Sequence, residues 1–134
     1  MSRLMDFLGD ANSPVAFATS VANNPYVRFV SFKMVVDGEL YFCTSKKKDM
    51  FSQLELNNRV EICSLPNSDR EWARFTAEVE FVQDIELSKK AFEILPLLEK
   101  AYGTPENEDF VLLKMKNINA RKQSLSGGNE KIEL

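Results

Sequence analysis

The sequence predicts a mainly β protein: a six-stranded antiparallel barrel with peripheral helices. Most of the chain consists of segments in which apolar and polar residues alternate, the period of a strand with one buried face. Asp37-Gly38 separates two such segments and is the residue pair typical of a type I′ hairpin turn, which joins antiparallel strands. Strands of this length around one small core favour a closed or nearly closed barrel.

The length and composition indicate one folded domain, which we expect over residues 1–134. Hydrophobic residues make up 44% of the chain, which is typical of a folded protein and not of a disordered one. The net charge of -3 does not favour nucleic acid, so any anion site must be local. We found no apolar run long enough to span a membrane and no signal-peptide pattern, and we therefore expect a cytoplasmic protein.

The absence of histidine excludes several kinds of active site. A Ser-His-Asp triad, a Cys-His pair and a His-ligated metal site cannot form. Proton transfer near neutral pH would need a perturbed carboxylate or lysine, water or a cofactor. Cys43 and Cys63 each lie in an apolar strand pattern, which favours buried free thiols over a disulfide or a metal site.

The first half of the chain alternates between predicted strands and short helices. Residues 2–9 have a helical apolar stripe that ends at Gly9, and Asn23–Pro25 has the composition of a turn. The segments expected after this helix are a strand over Val15–Val21, a long strand over Tyr26–Val36, a strand over Glu39–Ser45 and a helix ending near Leu56.

The second half contains three predicted strands, a final short one, and an interrupted helix. Asp84 is a candidate N-cap for that helix, Pro96 interrupts it, and Gly103 ends it. The expected segments are strands over Arg59–Leu65 and Trp72–Val82, helical residues over Ile85–Leu95 and Leu97–Tyr102, a strand from Phe110 to Lys116 that continues towards Ser124, and a short strand over Lys131–Leu134.

The corner between the strand that ends at Ser45 and the following helix gives the main functional signal. Lys46, Lys47 and Lys48 stand where the helix begins, although a helix N-terminus already carries partial positive charge. A bound anion would resolve this conflict. Hydroxyls of Thr44 and Ser45, which could also act as N-caps, would complete a phosphate site with free backbone N–H groups. The alternative is a solvated basic turn.

Two further residues are candidates for the same site. Arg28 is nine residues before Asp37, and Ser45 is seven after Gly38. An antiparallel pairing would therefore bring Arg28 within about two residues' rise of the basic corner. Alternatively, Arg28 is a surface charge on a strand edge. Trp72 begins a strand, where a tryptophan packs in a core or interface or stacks on a ligand.

Several segments together resemble one known family. They occur in the right order between residues 14 and 130 and are Pro25–Phe32, Asp37–Lys48, Gln53–Leu54, Asn57–Cys63, Trp72–Val79 and Ser124–Gly127. On these segments the sequence resembles the pyridoxamine 5′-phosphate oxidase-like, FMN-binding split-barrel proteins. The resemblance is greatest to small bacterial members of unassigned substrate near the nitroimidazole-resistance group.

This resemblance implies a homodimer with FMN at the interface and a flavin-dependent oxidoreductase that acts on an unidentified small molecule, with NAD(P)H as one candidate electron donor. It implies that the strand over Arg28–Val30 runs beside the isoalloxazine ring and that the basic corner holds the phosphate, with Lys47 solvated. The cofactor-binding residues expected on this basis are Arg28, Phe29, Val30, Cys43, Thr44, Ser45, Lys46, Lys48 and Trp72. It assigns no catalytic residue and no metal.

The sequence departs from the family in ways that limit the expected activity. The histidine thought to serve nitroimidazole resistance is absent, as are all histidines. The paired arginine and histidine expected near the C-terminus of true pyridoxamine phosphate oxidases are also absent, so we do not expect oxidation of that vitamer. The alternatives are a non-catalytic flavin-binding or flavin-sensing module, and the same fold with another cofactor such as haem or a deazaflavin.

Overall fold

The computed structural model describes residues 1–134 as one antiparallel sheet with four short helices. The elements in chain order are α1 (Ser2–Leu8), β1 (Val15–Val21), β2 (Asn24–Val30), β3 (Met34–Val36), β4 (Glu39–Ser45), α2 (Asp49–Leu56), β5 (Arg59–Ser64), β6 (Glu71–Val82), α3 (Ile85–Ile94), α4 (Leu98–Tyr102), β7 (Phe110–Ser124) and β8 (Asn129–Ile132). The predicted mainly β class is confirmed, but the predicted count of six strands is too low, since there are eight.

The strands form one sheet with two free ends. Their order is β2-β1-β5-β6-β7-β4-β3, β8 pairs with β7 beside this path, and every pairing is antiparallel. No pairing joins β2 to β3, so the path is open where the sequence predicted a closed or nearly closed barrel. One edge of β2 is therefore left without a neighbouring strand.

The predicted single strand over Tyr26–Val36 is wrong. Its first part is β2, which pairs with β1, and its last part is β3, which pairs with β4. The break coincides with Lys33, whose buried ammonium donates to the main-chain carbonyls of Asp10, Ser13 and Ser31 at 2.7, 2.7 and 2.8 Å. These bonds draw the Lys33 side chain towards the segment between α1 and β1 at the point where the strand pattern is interrupted.

The two hairpin turns next to this break have different origins in the sequence. Asp37 and Gly38 have φ of 51° and 78°, which confirms the predicted type I′ turn between β3 and β4. Ala22 and Asn23 also have positive φ, 49° and 68°, and they join β1 to β2. The predicted turn at Asn23–Pro25 therefore lies one residue earlier, and β2 begins at Asn24.

The core lies on both sides of β4. Leu40 and Phe42 belong to a large apolar cluster that α1 and α2 cover, with Leu4 and Leu54 among its members. Tyr41 and other residues of the opposite face belong to a smaller cluster beneath α3 and α4. Because both faces of β4 are buried, packing on two sides fixes the position of this strand up to Thr44.

Most of the remaining predicted local features are present. The side chain of Asp84 accepts a hydrogen bond from the Leu87 N–H at 3.0 Å, which confirms the predicted N-cap of α3. Pro96 separates α3 from α4, as predicted. Both cysteines are free thiols; Cys43 is buried as predicted, whereas Cys63 is half-buried. None of the helices is long and apolar enough to cross a membrane.

Candidate functional site

A cavity of about 750 Å³ runs along β2. Pro25–Phe32 forms one wall, the corner between β4 and α2 forms the second, and apolar residues around α4 form the third. A volume of this size is typical of sites for small molecules and cofactors. The lining contains two basic side chains, Arg28 and Lys48, and one acidic one, Asp49, so it favours a ligand with negative charge.

The hydroxyl of Thr44 is a buried polar group in the cavity wall without a partner in the protein. Thr44 lines the cavity and is 1% exposed, and its Oγ1 atom has no hydrogen-bond partner. A buried polar atom without a partner costs about 1–3 kcal/mol. Such an atom in a cavity wall is available to donate a hydrogen bond to a bound molecule.

The helix after this corner begins without a side-chain cap. The N-cap position of α2 is Lys48, so the N-cap role considered for Thr44 and Ser45 is wrong. The Ser45 hydroxyl instead accepts a hydrogen bond from the Lys47 N–H at 3.2 Å. The N–H groups of Asp49 and Met50 have no acceptor within the protein and add their positive partial charge to that of Lys48, whereas the Phe51 N–H donates to the Lys48 carbonyl at 3.0 Å.

The three lysines of the corner point in different directions. Lys48 donates to the Tyr102 hydroxyl at 3.2 Å, and its Nζ atom lies 5.2 Å from the centroid of the Tyr102 ring. Lys47 is exposed and pairs with Asp109 at 3.5 Å. Lys46 lines a second, polar cavity. Only Lys48 of the three therefore faces the cavity along β2.

Arg28 lines the same cavity, but not by the predicted route. It lies opposite Phe17 in the β1–β2 register instead of pairing near Ser45. Its guanidinium donates to the Thr19 hydroxyl at 2.9 Å, to the Phe17 carbonyl at 3.3 Å, and to the Gln53 side-chain oxygen. Burial lowers the pKa of Arg28, but an arginine remains charged at neutral pH.

The other predicted cofactor residues are divided between the cavity and other places. Phe29, Val30 and Cys43 line the cavity together with Arg28, Thr44 and Lys48. Ser45, Lys46 and Trp72 do not line it within this chain. Trp72 lies opposite Gln123 in the β6–β7 register and is half-buried.

Sequence reasoning assigned no role to two polar residues of this site. Gln53 belongs to one of the segments that carry the family resemblance. It lies one turn after Asp49 on the same face of α2, and this spacing could have indicated that it belongs to the site. Tyr102 is separated from Lys48 by 54 positions, and no local pattern places the two side chains together.

Cys43 and Tyr102 place a thiol and a phenol side by side in the cavity wall. Burial raises the pKa of Cys43 to about 12, although the Tyr102 hydroxyl and Lys48 lower it slightly. Burial also raises the pKa of Tyr102, and the neighbouring Cys43 contributes to this shift. The Cys43 sulfur and the Tyr102 oxygen are 3.9 Å apart, and both groups are neutral at physiological pH.

The open antiparallel sheet, the free edge of β2 and the basic corner define a mainly β protein with a cavity beside one edge of its sheet. The chain belongs to the pyridoxamine 5′-phosphate oxidase family, whose model matches residues 4–123.

Solved structures show the same fold in several proteins. A NimC/NimA family protein from Clostridium acetobutylicum superposes with a TM-score of 0.86 at 26% identity, over 98% of this chain and 93% of that one. A pyridoxamine 5′-phosphate oxidase-related, FMN-binding protein from Nostoc punctiforme superposes with a TM-score of 0.70 at 16% identity, over 99% and 94%. A heme-binding protein from Mycobacterium smegmatis has a TM-score of 0.65 at 17% identity, over 91% of this chain and 53% of that one. No curated protein matches the sequence.

Proposed function

We propose that this chain binds FMN in the cavity along β2 and is a flavin-dependent oxidoreductase that acts on a small molecule. The observation that carries the proposal is the unpartnered, buried Thr44 hydroxyl in a cavity wall that also presents Lys48 and the N-terminus of α2. The FMN-binding protein from Nostoc punctiforme shares the fold, which supports a flavin as the ligand.

The phosphate of FMN suits the corner between β4 and α2. Thr44 would donate its hydroxyl, Lys48 its ammonium and the first turn of α2 its N–H groups, all of which favour a dianion. Asp49 opposes this charge, but its carboxylate also interacts favourably with Arg28. We expect Lys48 to turn from Tyr102 towards the phosphate, because a charge-assisted bond to an anion is stronger than one to a phenol.

The isoalloxazine ring suits the wall formed by β2. The free edge of this strand has backbone N–H and C=O groups that no neighbouring strand takes up, and the polar edge of the ring can pair with them. Leu97 and Leu98, at the start of α4, supply an apolar surface on the same cavity. FMN supplies hydride or electron transfer when bound, so this site needs no histidine and no titrating thiol.

The outer face of β2 supports a proposed homodimer. Val27 and Phe29 point to the same side of the strand and are 71% and 69% exposed. A second copy of the chain that covers these residues would also lie against the cavity that they line. We further propose a single domain over residues 1–134, a cytoplasmic location, and NAD(P)H as the electron donor.

An absorption spectrum of the purified protein tests the cofactor. The expected result is a flavin spectrum, or quenching of flavin fluorescence when FMN is added to apoprotein at micromolar concentration. A colourless protein that binds no FMN under these conditions would contradict the proposal. A haem spectrum would show that the cofactor is haem and not FMN. Anaerobic addition of NADH or NADPH then tests the activity, since a bound flavin that neither nucleotide reduces would favour a binding module.

A further inference from the structure

Gln53 is a cavity residue whose side-chain orientation is fixed by its neighbours. Its Oε1 atom accepts a hydrogen bond from the Arg28 guanidinium and a second from the Thr19 hydroxyl at 2.6 Å. A guanidinium has only donors, so the amide oxygen and not the amide nitrogen must face it. Thr19 is buried, and its hydroxyl in turn accepts a hydrogen bond from Arg28 at 2.9 Å. The three side chains are therefore joined to one another by a ring of three hydrogen bonds.

The amide nitrogen of Gln53 consequently points away from Arg28 and Thr19. Gln53 lines the cavity, and its Nε2 atom makes no hydrogen bond within the protein, although both bonds to Oε1 are made. Its two N–H groups are thus held in one direction without a protein acceptor. Because its neighbours already restrict the side chain, this donor loses little further conformational entropy when a ligand binds. It is therefore suited to recognise an acceptor on a ligand.

The position of Gln53 on α2 identifies the part of the ligand that it meets. Gln53 follows Lys48 by five residues, which is about 7.5 Å along the helix axis. A ligand whose phosphate lies at Lys48 would therefore present a different group to Gln53. A neutral amide suits a neutral acceptor, such as a carbonyl oxygen, better than it suits a phosphate, for which Lys48 is the stronger partner.

We propose that Gln53 is a specificity-determining residue of the cofactor site. Its Nε2 group donates to a carbonyl oxygen or an acceptor nitrogen of the flavin ring, and Arg28 and Thr19 are positioning residues that act through it. This inference rests on the proposed binding of FMN, and it adds a second recognition point that is independent of the phosphate.

The test compares FMN with riboflavin, which has the same ring but no phosphate. Gln53→Glu is nearly isosteric, keeps an oxygen towards Arg28 and replaces the donor with a second acceptor. We expect it to weaken riboflavin at least about tenfold and FMN by at least the same factor, because the added carboxylate also repels the phosphate. Lys48→Ala should weaken FMN and leave riboflavin unchanged. Glu55→Gln is the control: it makes the reverse exchange, carboxylate to amide, at an exposed position of α2 outside the cavity, and it should change neither affinity.

Each outcome separates this inference from the proposed function. If the native protein binds FMN and Gln53→Glu binds both flavins with unchanged affinity, the inference is wrong and the proposed function stands. If Gln53→Glu weakens FMN alone, the contact is to the phosphate end and the ring assignment is wrong. If the native protein binds no FMN, the proposed function fails first. Thermal unfolding of the apoprotein checks the fold, and Gln53→Met replaces Gln53→Glu in both titrations if the latter does not fold.

Discussion

At the scale of single residues, Thr44 allows stability and binding to be separated. Thr44→Val removes the hydroxyl with little change in shape. Because Oγ1 is buried without a partner, we expect the apoprotein to keep its stability or gain up to about 1 kcal/mol. FMN affinity should fall, since the ligand loses a donor. Chemical denaturation without flavin and FMN titration measure the two effects.

Ser45→Ala is the matched control for this prediction. It removes a hydroxyl from the same corner, but the Ser45 hydroxyl accepts from the Lys47 N–H and does not line the cavity. It should therefore leave FMN affinity unchanged. A loss of apoprotein stability in Thr44→Val without a loss of FMN affinity would show that the hydroxyl serves the fold and not a ligand.

The lysines of the corner should differ in their contribution to FMN binding. Lys48→Ala should weaken FMN by about 1.5–3 kcal/mol, the range for a charge-assisted hydrogen bond. Lys46→Ala should have little effect, because Lys46 lines the second cavity. Fluorescence titration with FMN measures both. Equal losses in the two variants would mean that the charge of the corner acts at long range and that neither side chain makes a specific contact.

Lys33 should make stability depend on pH in the alkaline range. Its side chain is 2% exposed, and burial lowers its pKa from the usual 10.5 to about 8, although the charge of Asp10 opposes this shift. Between these two values the unfolded chain keeps a proton that the folded chain has lost. The contribution of Lys33 to the free energy of unfolding therefore rises with pH in this window, by up to about 1.4 kcal/mol per pH unit.

Denaturant unfolding of the native protein and of Lys33→Met measures this contribution, at several pH values from 7 to 10.5 in buffers of equal ionic strength. The free energy of the native protein minus that of the variant should increase as the pH rises. A difference that stays constant, or that decreases, would show that the three carbonyl acceptors keep the ammonium charged throughout the window.

At the scale of elements, local patterns predicted what local forces determine. The alternation in β1, the Asp37-Gly38 turn and the Asp84 cap depend on neighbouring residues, and all three are present in the structure. The break after β2 coincides with Lys33, whose partners include a carbonyl as far away in sequence as that of Asp10, and the alternating pattern of the sequence continues through it.

The same distinction applies to the candidate site. The basic corner was visible as a run of charge beside a helix start, but the run did not show which lysine faces the cavity. That choice depends on the turn geometry and on Tyr102, which comes from α4 on the far side of the cavity. Arg28 lies in the expected region because β2 pairs with β1, and not because it pairs with the strand that ends at Ser45. The order of strands in a sheet is a long-range property that no single hairpin determines.

At the scale of the whole molecule, the open sheet leaves an apolar strand face that predicts self-association. Val27 and Phe29 are largely exposed on β2, and a symmetric dimer would bury each of them twice. Burying a phenylalanine side chain contributes about 1.5–3 kcal/mol, so Phe29→Ser should cost a symmetric dimer about twice that amount. We expect the native protein to sediment as a dimer at micromolar concentration and Phe29→Ser to sediment as a monomer.

Leu125→Ser is the matched control, because Leu125 is equally exposed at 69% but follows β7 and does not line the cavity along β2. It should leave the dimer intact. If FMN lies at the interface, Phe29→Ser should also weaken FMN binding, and raising the protein concentration should restore it, because mass action favours the dimer. A native protein that is monomeric and binds FMN with the same affinity at every protein concentration would contradict this prediction. The whole site would then lie within one chain, and the exposed face of β2 would not be a dimer interface.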